Sequence, residues 1–400
     1  MAGVGAWTPA ANGDLWANVF RIPTNPANTS ILWWGDRLLA LCEGGLPFRL
    51  DPGTLESLGE ELFTDIPVSQ SGVSFFSAHP KRDPSGEIFN IGLKLGVPPG
   101  LEVFRCSAGG QLLQRACVPT EGFSFVHDFA ITEKYVVLIL PPWSCSSAGV
   151  VQSLWDGPMA RKFAWREELG TRCMLLRRDD LSVVFDEVLR PAVSLYHTVN
   201  AFDDGDVVRL QIAAHNGSRE AVEKNFRDMY RAIWTPETSC SLKEVVLDVA
   251  SGGIKIGPAG PKDAAPFELP NVHPDVVGRR HRHIFTNASS TAVGFSNTVE
   301  RLDLEGQVVD QASFAEDQFA GEPLLLPKKG ATPGDELDAY VCTCVYDVSA
   351  HKSFYAFLDA DDLAAGAKAE VHLPTHVPYS FHGEWVPGRV DLLAAAKSKR

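Results

Sequence analysis

Short apolar or alternating runs, separated by glycine, proline and Asx residues, recur along the whole chain. Ile31–Trp34 and Leu38–Leu41 flank Gly35-Asp36, a two-residue turn in which glycine supplies the positive φ of a tight hairpin. Phe125–Ile131 and Tyr135–Leu140 form a second pair around Thr132-Glu133-Lys134, and Val207–Ala213, Glu244–Val249, Ile284–Thr286, Tyr340–Tyr346 and Phe354–Leu358 continue the pattern. Strands at near-regular spacing predict an all-β sandwich, barrel or propeller. At 400 residues, radial repetition of four-stranded blades is favoured because it leaves few sheet edges exposed. Two stretches read as helix. Val222, Phe226, Met229, Tyr230 and Ile233 share one face, with Ser218 to cap the start and Thr235-Pro236 to close the end. Asp361–Ala369, rich in alanine with acidic residues in its first turn, predicts a shorter helix. No boundary divides the chain, so residues 1–400 read as a single domain.

Composition narrows the partners. Hydrophobic residues make up 45% and charged residues 22%, an ordinary globular balance. With 36 basic and 50 acidic residues the net charge is −14, which repels a nucleic-acid backbone. The eight cysteines are scattered without a CxxC pair, as in a reduced, intracellular protein. The longest apolar run, Tyr135–Trp143, contains two prolines and falls short of the roughly 20 residues a membrane span needs. No basic segment followed by an apolar core opens the chain, so the cytoplasm or a plastid is the expected compartment.

Four histidines have distinctive surroundings: His79 in Ala-His-Pro-Lys-Arg-Asp-Pro, His127 in Val-His-Asp-Phe-Ala-Ile-Thr, His197 in Tyr-His-Thr-Val-Asn-Ala-Phe and His382 in Pro-Tyr-Ser-Phe-His-Gly-Glu-Trp-Val-Pro. Their separations of 48, 70 and 185 residues match no local metal motif, and a lone histidine among apolar neighbours reads first as a core residue. A propeller changes that weighing, since distant blades point inner-strand side chains at one axis. His281 and His283, in Arg-Arg-His-Arg-His, read as a solvated basic turn; Cys342 and Cys344 as core thiols; His372 and His376 as loop residues.

Taken with Asn28–Pro47, Leu50–Glu56, Gly170-Thr-Arg, Gly321-Glu-Pro and Leu358-Asp-Ala, these segments occur in an order that resembles the carotenoid cleavage oxygenases along nearly the whole chain. The resemblance implies a seven-bladed β-propeller with short helices in loops capping the metal face. It implies one Fe2+ held by His79, His127, His197 and His382, with Glu43, Glu268 and Glu322 outside them as hydrogen-bond partners. Carboxylates in that position fix the tautomer and direction of a ligating imidazole. The implied chemistry adds O2 across a conjugated double bond of a carotenoid or apocarotenoid, giving two carbonyl products, with no side chain acting as acid or base. The implied partner is an apolar polyene drawn from a membrane by peripheral association, and Phe75, Phe76, Phe125, Tyr196 and Phe381 are candidates to line its passage. The glycine-rich early segment of the family has no counterpart here, so the propeller is expected to lack its first strands. Stilbene cleavage is the alternative within the fold, but Cys42 stands where those relatives have a lysine. A non-catalytic propeller serving as a scaffold is the alternative outside enzymology.

Overall fold

The computed structural model describes residues 25–61, 72–96, 98–120, 122–146, 148–149, 162–215, 240–288, 296–378 and 380–387. Seven antiparallel sheets account for nearly all of its regular structure. Six are larger and follow one another along the chain. The first runs from Ser30–Trp34 to Ser57–Glu60, and the second from Gly72–Ser74 to Leu112–Pro119. The third runs from Ala130–Ile131 to Val183–Leu189 and the fourth from Leu195–Asp204 to Gly253–Pro258. Phe267–Asn271 opens the fifth, which ends at Val308–Ser313, and Gln318–Ala320 opens the sixth, which ends at Ala369–His372. A small sheet of Phe123–Ser124, Trp143–Cys145 and Ala164–Trp165 is inserted around the start of the third.

Burial changes across each sheet in the way stacked blades require. Tyr135–Leu140 is buried at every position after its first, because sheets pack on both of its faces. The outermost strands Ser57–Glu60 and Val183–Leu189 carry mainly exposed positions. The five larger hydrophobic clusters therefore lie between neighbouring sheets. Leu39 and Leu41 meet Phe76 and Phe104 between the first and second, and Val137 and Leu175 meet Leu210 and Val245 between the third and fourth. Residues 382–384 return the chain to its start: the His382 N–H donates to the Thr29 carbonyl at 3.2 Å, and Glu384 accepts from the Trp33 N–H. Gly35-Asp36 forms the expected two-residue turn, with Gly35 at φ 63°.

Three expectations are corrected. Asp361–Ala369 is not a helix but one 3-10 turn, Leu363–Ala365, followed by strand Ala369–His372. Asp310 accepts from the N–H groups of Leu363 and Ala364, Asp362 caps Ala365, and Gly366 at φ 76° ends the turn, so local capping overrides alanine's helix preference. His281 and His283 are not solvated: each is only 6% exposed, because the preceding segment is drawn inward by Asn200. His372 closes a strand instead of lying in a loop, although it is exposed. The longer helix expected over 222–233 lies outside the described residues; among the described residues the named helical elements are single 3-10 turns.

Candidate metal centre

Almost every sheet contributes one residue to the axis, most of them from a place where the innermost strand bulges, breaks or begins. Glu43 lies in the turn after Arg37–Leu41 of the first sheet. His79 lies in the gap between Gly72–Ser74 and Lys81–Arg82, two short segments that both pair with Ile88–Gly96. His127 precedes Ala130–Ile131 of the third sheet. His197 sits in a register shift between Leu195 and Asn200, and Glu268 at another between Glu268 and Asn271, followed by Leu269 at φ 50°. Glu322 falls between Gln318–Ala320 and Leu324–Pro327, which share Ala339–Asp347 as partner. A regular strand sends alternate side chains to the two blade faces; a bulge or break re-aims one along the axis. Gly92 makes the break at His79 possible, since a Cβ there would lie 1.7 Å from the Phe75 carbonyl oxygen.

The four histidines meet. One ring nitrogen from each of His79, His127, His197 and His382 lies within 4.8 Å of the others. His79 Nε2 is 2.9 Å from His127 Nε2, and His197 Nε2 is 3.2 Å from His382 Nε2. On the outer side, His127 Nδ1 contacts Glu43, His197 Nδ1 lies 2.6 Å from Glu268 Oε2, and His382 Nδ1 lies 2.9 Å from Glu322 Oε1. Among the described residues no carboxylate pairs with His79.

Protonation follows from this arrangement. A neutral imidazole has one N–H. With the Nδ1–H groups of His197 and His382 donated to carboxylates, both Nε2 atoms present bare lone pairs to each other at 3.2 Å, which is repulsive unless a cation lies between them. The donor set thus fits a metal ion. Burial, reinforced by the three neighbouring imidazoles, holds His79 well below the ordinary histidine range, so it too offers a lone pair. Burial also lowers His197, against the pull of Glu268. For Glu43 and Glu268 burial works upward, but the adjacent histidines outweigh it; Glu43 is lowered and Glu268 is held at about 2. Both remain anions that offset a bound cation's charge.

The family model described as retinal pigment epithelial membrane protein matches residues 5–387. The chain belongs to that family, the carotenoid cleavage oxygenases. It is 29% identical over 384 residues to an apocarotenoid-15,15'-oxygenase of Synechocystis, an alignment covering 90% of this chain and 73% of the relative. It is 30% identical to a chloroplastic 9-cis-epoxycarotenoid dioxygenase of Oryza sativa, covering 90% of this chain but 55% of that protein's length. A zeaxanthin 7,8(7',8')-cleavage dioxygenase of Crocus sativus is 28% identical, with 95% of its length covered. The solved structure of the cobalt-substituted Synechocystis apocarotenoid oxygenase superposes with a TM-score of 0.81 at 27% identity, covering 96% of this chain and 79% of that one. That likeness identifies the seven-sheet architecture as a seven-bladed propeller.

Sequence reasoning missed the framework that spaces the histidines in this carotenoid cleavage oxygenase. Asp128, next to His127, has a side chain 1% exposed and bonds to Lys81 Nζ at 2.7 Å and to both the N–H and hydroxyl of Thr198 at 2.8 Å. Burial would raise its pKa, but Lys81, His197 and Thr198 together lower it. One carboxylate therefore ties together the segments carrying His79, His127 and His197. The His-Asp dipeptide and the Pro-Lys pair after His79 were the available signals, but nothing local says that they meet.

The centre has two unlike sides. Phe125 stacks 6.0 Å from the His127 ring, Tyr196 meets it edge-on at 5.5 Å, and Phe163 packs on Phe125 at 6.1 Å. This aromatic wall continues into Trp143 and Trp165 of the small sheet. A cavity of about 620 Å³ meets His79, His197 and His382 and carries Lys81, Arg82, Asp83, Asp128, Asp275 and Glu384 in its walls. Of the aromatic candidates, Phe125 and Tyr196 thus stand beside the histidines, whereas Phe76 is core, stacked on Trp34 at 6.2 Å, and Phe381 is 47% exposed.

Proposed function

We propose that this chain is an iron(II)-dependent dioxygenase that cleaves a conjugated double bond of a carotenoid or apocarotenoid with O2, yielding two carbonyl compounds. The observation that carries the proposal is the set of four converging imidazoles, three of them oriented by glutamates. In it His79, His127, His197 and His382 are the ligands of one Fe2+, and Glu43, Glu268 and Glu322 fix their tautomers. Iron bound there would supply the reactivity toward O2 that no side chain offers. Neutral imidazoles holding the ion would leave its 2+ charge for the outer glutamates to offset.

The chain's own residues do the rest. Glu43, Glu268 and Glu322 keep the Nδ1 protons and so leave Nε2 free. The Lys81–Asp128–Thr198 network holds three histidine segments at fixed spacing. Phe125 and Tyr196 offer ring faces against which a rigid polyene can lie, burying apolar surface at about 25 cal/mol per Å² and holding one double bond beside the histidines. No general acid or base is required. A cytoplasmic or plastid location, with peripheral contact to the membrane that holds the substrate, belongs to the same proposal.

The test is turnover of the full chain loaded with ferrous ion, with an apocarotenoid or resveratrol supplied in detergent. Uptake of one O2 per apocarotenoid cleaved, with two carbonyl products by mass spectrometry, is expected. Cleavage of the stilbene alone would overturn the substrate class, for which Cys42 in place of a phenol-binding lysine is the present argument. Iron binding without oxygen uptake on either substrate would favour a scaffold.

A further inference from the structure

The three glutamates are not held alike. Glu322 directs its second oxygen, Oε2, to the Gly383 N–H at 2.9 Å. In Glu268, Oε2 accepts from both His197 Nδ1 and the Leu269 N–H, while Oε1 accepts from the Cys240 thiol at 3.1 Å. His215 Nε2 faces that same oxygen from 3.7 Å, and His215 Nδ1 lies 3.1 Å from the Ser194 hydroxyl. His215 and Cys240 are directly paired across adjacent strands of the fourth sheet, so one ladder position presents both side chains to one carboxylate oxygen. Cys240 is 1% exposed.

We propose that Cys240, with His215 behind it, is a positioning residue for the metal centre: the thiol donates to Glu268 Oε1 and thereby fixes the carboxylate plane that orients the His197 imidazole. The inference rests on the metal-centre reading above and extends it by one layer. A carboxylate bound through one oxygen can rotate about its terminal torsion, which is broad. A donor on the second oxygen removes that freedom, and a thiol donating to an anion is strengthened by the acceptor's charge. With the Ser194 hydroxyl donating to His215 Nδ1, the Nε2 proton would face the anion. The nitrogen, sulfur and oxygen atoms also lie within 4.8 Å of one another, a donor set that could take a soft divalent cation. The positioning role is favoured because Glu268 is already committed to His197, and burial keeps Cys240 a thiol.

The experiment uses the full chain loaded with Co2+, whose visible absorption reports ligand geometry without turnover. Rate of metal release to a chelator, the cobalt spectrum, bound cobalt per chain and the urea midpoint are measured for wild type, Cys240→Ala, Cys240→Ser and His215→Phe. Cys240→Ala should release metal about 10-fold faster and shift the visible bands. Cys240→Ser, which keeps a donor, should return release to within about 2-fold of wild type. His215→Phe should fall between them. Release rates and spectra unchanged in Cys240→Ala would overturn the proposal, as would equal loss in the Ala and Ser variants. A second cobalt per chain with a thiolate charge-transfer band that vanishes in Cys240→Ser would show a metal site in its place. If Cys240→Ala does not fold, the Ser and His215→Phe spectra decide. Failure of the wild type to hold any cobalt would instead refute the metal-centre reading itself.

Discussion

The aromatic wall and the cavity beside the histidine cluster are built from neighbouring residues on the same segments, yet only the cavity adds charged groups such as Lys81, Arg82 and Asp128 to apolar lining such as Leu32 and Val272. Tyr196 and Thr198 flank His197, as Val126 and Asp128 flank His127. Tyr196 meets the aromatic wall, while Thr198 and Asp128 join across the cavity side. Regular alternation would place residues 196 and 198 on one face; the register shifts between Leu195 and Asn200 turn them apart. On the cavity side ion pairs and hydrogen bonds hold the histidines in place, and in the proposed function the aromatic side receives the substrate. A metal site built on rigid, cross-tied strands needs no rearrangement to accept its ion.

The comparison can be broken hardest from the polar side. Asp128→Ala leaves Lys81 without its anion and should cost about 3–5 kcal/mol of stability, measured as a lowered urea midpoint. A loss below about 1 kcal/mol would mean that the histidine segments are spaced by packing instead. Glu268→Gln keeps the side chain's size but not its charge, so iron retention should weaken about 10–100-fold by competition with a chelator. Unchanged retention would remove the outer glutamates from the account. On the apolar side, Tyr196→Ala and Phe125→Ala should raise KM for an apocarotenoid by about 2–10-fold, the range of an aromatic contact, while metal content stays at one per chain. Arg82→Gln, in the charged cavity wall, should leave KM unchanged; the reverse pattern would place the substrate in the cavity.

The smallest effect is a pH dependence away from the centre. Burial holds His281 and His283 at about 4, against an ordinary 6.5. Between those values the unfolded chain binds more protons than the folded one, so these groups' contribution is complete above 6.5 and is lost as pH falls toward 4. Urea midpoints of the wild type should therefore decline across that interval, and His283→Gln should flatten the slope. Parallel curves would show that His283 is not buried in its neutral form.

The site was more legible than the scaffold that holds it. Each histidine stands in a motif that resembles one family, and the order of those motifs pointed to the four histidines and three glutamates that the structure brings together. The turns at Gly35-Asp36 and Thr132–Lys134 were equally plain, because turn residues are local signals, although only Ala130–Ile131 of the expected Phe125–Ile131 strand is a strand. Asp361–Ala369 misled because alanine content reports propensity, whereas Asp310 and Gly366 decide the turn. His281 and His283 misled because flanking arginines suggest solvent, while Asn200, some 80 residues away, draws the segment inward. Cys240 and His215 carried no signal at all: neither belongs to a motif, and their meeting at Glu268 depends on strand register and on a bulge in the next sheet.

By itself the sequence determined much of the strand content and several turn positions, and the order of its motifs, through resemblance to one family, pointed to the seven residues that meet near the axis. Those properties reside in side-chain type and local order, which need no knowledge of what lies across the blade. Tertiary structure alone decided where each inner strand breaks to aim its residue inward, which carboxylate serves which imidazole, and which face of the centre is charged. These are properties of register and of contact between sheets, and a one-residue slip in either would turn every side chain on the strand to its opposite face.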